Sequence, residues 1–208
     1  MKRPAEKYPV GAIILAAGQS KRMGQNKMLL PFAGSTVIQT IVSEVAATSA
    51  RDVVVVTGYE SEKIAAALQG YPARCVFNPD YAQSEMIVSI QAGLRVINDH
   101  LQAALIVLGD QPRIRHDLVQ RIIAACEPET LIVPSYQHQR GHPILIDRAL
   151  WADILALPST ATLRDFIRSH EDRIRYVEID SDSVLRDMDT PADYQELIHE
   201  ITRRNTEE

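Results

Sequence analysis

Short runs of apolar, largely β-branched residues alternate along the chain with stretches in which apolar residues recur every three or four positions. The runs Val10–Ala16, Asp52–Thr57, Arg74–Phe77, Ala103–Leu108 and Thr130–Val133 predict strands. Near-continuous apolar runs of this length suit strands covered on both faces of a sheet. Between the first two, Val37, Ile38, Ile41, Val42 and Val45 share one face of a predicted helix. Ile64, Ala65 and Leu68 predict a second, Ile87, Ile90, Leu94 and Ile97 a third, and Leu118, Val119, Ile122 and Ile123 a fourth, which starts just after the loop Gly109–Arg115. Strand alternating with helix predicts an α/β protein with a mainly parallel sheet and helices on both faces.

The final third is less regular. Pro143–Ile146 reads as a short strand after a polar turn at Gln137–Gly141, helices follow near Arg148–Leu155 and Leu163–Ser169, and Arg175–Ile179 is a further strand. A last helix is expected from Thr190-Pro191 to about Thr202, with proline at the first helical position, where its missing N–H costs nothing. The tail Arg203–Glu208 reads as a frayed end. No repeat, low-complexity segment or linker divides the chain, so its 208 residues are expected to form one domain, with an ordered core over about residues 10–203.

Composition narrows the function. The net charge is −5 with both signs interspersed, which argues against a general nucleic-acid binder but leaves room for a local basic pocket. Cys75 and Cys126 have no CxxC or ligand spacing and read as small hydrophobes in a reducing compartment. No span is long and apolar enough to cross a bilayer. The polar start, Met1–Pro9, is not followed by a signal-peptide pattern, so a cytoplasmic location is expected.

The chemistry falls in loops that follow predicted strands, where open α/β sheets bind their ligands. After Val10–Ala16 comes Ala17-Gly18-Gln19-Ser20-Lys21-Arg22-Met23-Gly24-Gln25-Asn26-Lys27. A glycine-punctuated loop at a strand end exposes backbone N–H groups, and Arg22 and Lys27 add two cations, which together suit a triphosphate. The spacing fits neither a P-loop nor a dinucleotide fingerprint. After Ala103–Leu108 comes Gly109-Asp110-Gln111-Pro112. Asp110 either shapes a turn before Pro112 or holds Mg²⁺, and the company of the first loop favours the metal. In Asp187-Met188-Asp189-Thr190-Pro191-Ala192-Asp193, helix capping accounts for Thr190 to Asp193 but leaves Asp187 and Asp189, either of which can supply a second carboxylate to a cation. His142, in Arg140-Gly141-His142-Pro143, is held extended by the following proline and can display its ring to a ligand, although by itself it reads as an ordinary loop histidine. His100, His116, His138, His170 and His199 show no metal spacing. Asn78-Pro79-Asp80-Tyr81, with Ser84, Glu85, Met86 and Ser89 after it, reads as a loop leading into a helix.

Taken in order, Leu-Ala-Ala-Gly-x-Ser-x-Arg-Met-Gly-x-x-Lys, Gly-Asp-Gln-Pro, Gly-His-Pro and Asp-x-Asp-Thr-Pro-x-Asp-Tyr span nearly the whole chain. They resemble the molybdenum cofactor cytidylyltransferase-like nucleotidyltransferases, the MobA-like NTP transferases. The resemblance implies a three-layer α/β/α Rossmann-like nucleotidyltransferase fold. It also implies a Mg²⁺-dependent transfer of a nucleoside monophosphate from an NTP to a phosphorylated acceptor, with release of pyrophosphate. By position, Leu15, Ala16, Ala17 and Gly18 would line the base and ribose, Arg22 and Lys27 would hold the triphosphate, and Asp110 and Asp189 would bind Mg²⁺. Asn78, Ser84, Ser89 and His142 would fall on the acceptor side. Family members that use GTP carry Leu-Ala-Gly-Gly in the first motif. The methyl group of Ala17 narrows that position, which is consistent with CTP. The chain departs from the family at Gln83–Ser89, where Ser84 stands near an expected glycine and Glu85 adds a charge.

The implied acceptor is molybdenum-loaded molybdopterin, with a molybdoenzyme or its maturation apparatus as protein partner. Two alternatives stay open. One is transfer to a sugar phosphate or methylerythritol phosphate, although such enzymes usually place Pro-Lys after the glycine loop. The other is a non-catalytic partner that hands a cofactor to its target. All catalytic readings require Arg22, Lys27, Asp110 and Asp189 to converge.

Overall fold

A computed structural model describes residues 8–207. In chain order its elements are β1 (Val10–Ala16), β2 (Pro31–Phe32), β3 (Ser35–Thr36), α1 (Val37–Ala46), β4 (Val53–Thr57), α2 (Ser61–Ala67), β5 (Arg74–Phe77), α3 (Met86–Val96), β6 (Ala103–Leu108), α4 (His116–Ala124), β7 (Leu131–Tyr136), β8 (Gln139–Arg140), β9 (Ile144–Asp147), α5 (Trp151–Ala156), α6 (Leu163–Ser169), β10 (Ile174–Glu178) and α7 (Pro191–Glu207). Met1–Lys7 and Glu208 lie outside the described residues.

The sheet order is β10-β7-β9-β6-β1-β4-β5, with β8 paired to β7. The β5-β4-β1-β6 half is parallel, as is the β7–β10 pair. The expected mainly parallel sheet is therefore present, but β9 runs antiparallel to both β6 and β7. The chain reaches β9 through a tight hairpin from β7, and a connection that short can join only antiparallel strands. Its turn residues Gln137 and His138 both have positive φ, 48° and 65°, without a glycine to announce them. The same applies in part to the β2–β3 hairpin at Ala33-Gly34, which the apolar pattern did not predict because each strand is two residues long.

Two cores flank the sheet, which gives the three layers. Ala12, Ile14 and Ala16 of β1 face the side covered by α1, α2, α4 and α7. Ile13 faces the side covered by α3, α5 and α6. The caps are those the side-chain chemistry dictates. At α1, Gln39 N donates to Thr36 Oγ1 at 3.4 Å while Thr36 N donates to Gln39 Oε1 at 3.0 Å. At α7, Thr190 and Asp193 exchange the same pair of bonds. That helix continues to Glu207, past Thr202, where the sequence suggested fraying. Strand β7 likewise runs on through Pro134, which lacks an N–H but keeps its carbonyl as acceptor for Gly141 N.

What positions the site is the order of strands around β1. From β1 the chain steps outward to β4 and β5, then returns to place β6 on the other side of β1. The crevice outside the carboxyl ends of β1 and β6 is thus a topological switch point. Leu15 pairs with Leu108 at those ends. Ile13, fully buried between Val54 and Ile106, holds this centre. Helix α3 lies so close that a Cβ on Gly93 would stand 2.5 Å from Ile13 Cγ2. Ile13→Ala should therefore destabilise the protein by about 3 kcal/mol, read as a lower urea midpoint with unchanged slope.

Candidate active site

A cleft of about 600 Å³ opens at the switch point. Leu15, Ala16, Ala17, Gly18, Arg22 and Lys27 line one wall, Asp110, Asp187 and Asp189 the floor, and Tyr81, Ser84, Glu85, Met86 and Ser89 the facing wall. The loop after β1 is shaped locally. Ser20 and Gly24 take left-handed backbone conformations at the two ends of a single turn of 3₁₀ helix. Asn26 then caps a second such turn: its Oδ1 accepts from Met28 N at 3.0 Å and its Nδ2 donates to Tyr59 O at 3.3 Å. Lys27 N donates to Ser20 Oγ at 3.2 Å. These bonds fix the backbone from which the Lys27 side chain extends.

The head group of that side chain lies between two carboxylates. Lys27 Nζ lies 2.7 Å from Asp110 Oδ2 and 2.8 Å from Asp189 Oδ1, and Arg22 Nη2 lies 2.7 Å from Asp189 Oδ2. The convergence that the motifs required is therefore present. The second and third loops are bound to each other independently of these charges. Met188 is fully buried, and its N–H donates to Asp110 O at 2.8 Å. Gln111 Nε2 donates to Asp187 Oδ1 at 2.8 Å. Gly109 allows the close approach, since a Cβ there would meet Leu15 O at 2.6 Å and Met28 Sδ at 2.8 Å.

Burial alone would lower the Lys27 pKa. The Asp110 and then the Asp189 carboxylates more than offset it and hold it above its ordinary value. Burial works to raise the Asp189 pKa, but the hydrogen bond and charge of Lys27, with Arg22, bring it below the ordinary carboxylate range. Asp187 goes the other way: burial raises it, and the neighbouring Asp110 and Asp189 charges add to that against the Gln111 hydrogen bond. Of the two aspartates left open by the sequence, Asp189 is thus the one held as a paired anion beside Asp110.

Not every expected residue reaches the cleft. Asn78 is buried behind the wall, where its Nδ2 donates to Ser89 Oγ at 3.0 Å and its Oδ1 accepts from Asp80 N at 3.0 Å. It positions Ser89 rather than facing a ligand. His142 is half-buried and does not line the cleft: its N–H donates to Val184 O at 2.9 Å, and its Nδ1 is buried without a hydrogen-bond partner. The ring is withdrawn from the cleft, near enough to Asp110 to feel its charge, not displayed as the following proline suggested. The sequence did not single out Asn26, Gln111 or Tyr81. Asn26 carried a legible signal as a capping residue before a turn. Gln111 acquires its role only from Asp187 and Val184, far along the chain, and Tyr81 from where its loop sits at the cleft.

The donor set fits a magnesium ion, which takes one or two protein carboxylates and completes its shell with phosphate oxygens and water. Asp110 and Asp189 supply that number. Among the described residues no group of three or more His, Cys, Asp or Glu side chains gathers to make an all-protein cage. A second cavity of about 430 Å³, between α1, α4 and α7, has no such arrangement. Its Arg113 pairs with Asp182 and Glu200, and its Glu44 accepts from His116.

Comparisons with known proteins identify the family and the fold. The model of the MobA-like NTP transferase domain matches residues 12–174. The molybdenum cofactor cytidylyltransferase of Escherichia coli (strain K12) is 27% identical over 89% of this chain and 93% of its own length. The nicotine blue oxidoreductase of Paenarthrobacter nicotinovorans is 28% identical over 91% of this chain and 96% of its own. Among solved structures, a nucleotidyl transferase from Methanothermobacter thermautotroptrophicus superimposes with a TM-score of 0.83 at 25% identity, covering 94% of this chain and 99% of the other. Among the described residues no helix is long and apolar enough to cross a membrane.

His142 gives the site a pH signature. Burial pushes its pKa down to about 4, only partly opposed by the Asp110 charge. The unfolded chain protonates this imidazole near its ordinary value of about 6.5, so the unfolded state binds the extra proton between the two values. Stability should be complete above pH 6.5 and fall as the pH drops toward 4, by at most about 1.4 kcal/mol per pH unit. The raised carboxyl of Asp187 contributes with the opposite sign, so the histidine is isolated by substitution. Urea midpoints at several pH values across this window should fall more steeply for the parent protein than for His142→Asn. Parallel profiles would contradict the buried neutral imidazole.

Proposed function

The chain belongs to the MobA-like NTP transferase family, and on that footing we propose that it transfers CMP from CTP to a phosphorylated acceptor, molybdenum-loaded molybdopterin, and releases pyrophosphate with Mg²⁺ as cofactor. The observation that carries this reading is the contact of one ammonium, Lys27 Nζ, with both Asp110 and Asp189 at the mouth of a glycine-bearing loop.

An oxygen of the acceptor phosphate attacks the α-phosphorus in line. The new P–O bond forms as the bond from the α-phosphorus to the bridging oxygen breaks, and pyrophosphate leaves with the electron pair. The acceptor phosphate is already an anion, so no side chain has to remove a proton. The work of the protein is positioning and charge compensation. Backbone N–H groups of the loop from Ala16 to Gly18 hold the nucleotide against the end of β1. Lys27 and Arg22 offset the negative charge that grows on the leaving pyrophosphate. Asp110 and Asp189 would hold the magnesium ion, which supplies further neutralisation at the phosphate oxygens. Tyr81 and Met86 give the acceptor an apolar surface on the facing wall, with Ser84 and Ser89 beside it. The methyl group of Ala17, which narrows the base position relative to a glycine, supports cytosine.

Acceptors of the sugar-phosphate or methylerythritol-phosphate type use the same phosphate chemistry and differ only at the facing wall. A non-catalytic carrier would have no use for two cations and two carboxylates gathered on one point. The name of the Paenarthrobacter relative brings in a second reading, an oxidoreductase, which also leaves that cluster without a task.

Pyrophosphate release measured with CTP, GTP, ATP and UTP, each with and without molybdenum-loaded molybdopterin, should be fastest with CTP and acceptor together. Lys27→Ala and Asp110→Ala should each lower turnover by about 100-fold or more, the loss of roughly 3 kcal/mol of transition-state stabilisation. No pyrophosphate with any pairing, alongside oxidation or reduction of nicotine blue, would replace this reading with the second one.

A further inference from the structure

Lys27 stands where the carboxylate pair would hold a metal ion. Its Nζ touches Asp110 Oδ2 at 2.7 Å and Asp189 Oδ1 at 2.8 Å. A magnesium ion on the same two oxygens would need each at about 2.0–2.1 Å, so ammonium and ion exclude each other from that point. The ammonium is not on a loose tether. The Lys27 side chain is 11% exposed, whereas that of Arg22, which reaches Asp189 from outside, is 67% exposed. The bonds of Ser20 and Asn26 hold the backbone at Lys27 and Met28 from which the Lys27 side chain extends.

Charge completes the argument. Two carboxylates and two cationic side chains cancel in this cluster. A free divalent ion would add two positive charges to a partly buried site where only the carboxyl of Asp187 is left to meet them, and displacing Lys27 would leave its ammonium without a partner. A divalent ion that arrives on a triphosphate brings the anion that Lys27 and Arg22 can turn to.

Resting on the reading of the cleft as a nucleotide site, we propose that Lys27 is an internal stand-in for the metal. It keeps Asp110 and Asp189 closed to free divalent ions and releases them when a nucleoside triphosphate draws its ammonium onto phosphate oxygens. Metal therefore enters with the nucleotide and not ahead of it.

Water-proton relaxation with Mn²⁺ as the probe tests this without turnover, because it separates protein-bound Mn²⁺ from Mn²⁺ on free CTP. The parent protein should bind Mn²⁺ weakly alone and at least tenfold more tightly with CTP. Lys27→Met should bind Mn²⁺ at least tenfold more tightly than the parent in the absence of nucleotide. Arg22→Met, which removes the same charge from the outer oxygen, should change that affinity less than threefold. Lys27→Met combined with Asp110→Asn should lose the gain. Thermal melts check that each variant is folded, and Lys27→Gln replaces Lys27→Met if the latter is not. Equal Mn²⁺ affinity in Lys27→Met and the parent, or equal gains in Lys27→Met and Arg22→Met, would overturn the proposal. Failure of every triphosphate to alter Mn²⁺ binding in the parent, with the Lys27→Met gain intact, would instead overturn the nucleotide reading and the release step with it.

Discussion

One ion-pair cluster ties together three parts of the chain that are remote in sequence. Lys27 comes from the loop after β1, Asp110 from the loop after β6, and Asp189 from the segment that leads into α7. Two carboxylates at that separation repel each other unless a cation lies between them. The position of Lys27 therefore sets the charge of the cleft, across a spacing of the acidic loops that neutral hydrogen bonds between them already hold. Partly buried pairs of this kind add little net stability, but they are costly to break on one side, because an unpaired charge is left behind. Such a cluster specifies an arrangement more than it strengthens a fold.

The neutral framework makes the cluster achievable. Strands β1 and β6 run parallel and side by side, so their ends deliver two loops to one spot. The third segment is anchored without charge by buried Met188, by its N–H on Asp110 O, and by Gln111 on Asp187. The charged groups thus meet in a frame already set by hydrogen bonds and apolar burial. The same frame binds His142 N to Val184 O within reach of the Asp110 charge, where burial keeps its imidazole neutral. A protonated imidazole there would compete with Lys27 for the field of Asp110.

The facing wall differs in character. Lys27 and Arg22 bring the positive charge to their side of the cleft, whereas Tyr81, Met86 and Glu85 present apolar surface and one carboxylate. Asn78 acts on this wall indirectly, through Ser89 and Asp80. The division matches a reaction in which triphosphate handling is common to a family and the acceptor varies. It also accommodates relatives that share most of the chain yet carry names from different reaction classes.

The sequence by itself determined most of the architecture and the identity of the charged groups. Periodicity in β1, β6 and α6 is strong because each is buried along a whole face or on both faces, so their bounds were legible residue by residue. The glycine loop, Asp110 and Asp189 were legible because their chemistry is unusual at strand and helix ends. Tertiary structure alone decided the rest. The antiparallel placement of β9, the withdrawal of Asn78 and His142 from the cleft, the choice of Asp189 over Asp187, and the seating of Lys27 between two acids all depend on partners from 11 to 162 residues away. Local sequence encodes what a side chain can do. Which groups it meets is settled only when the sheet has brought its strand ends together.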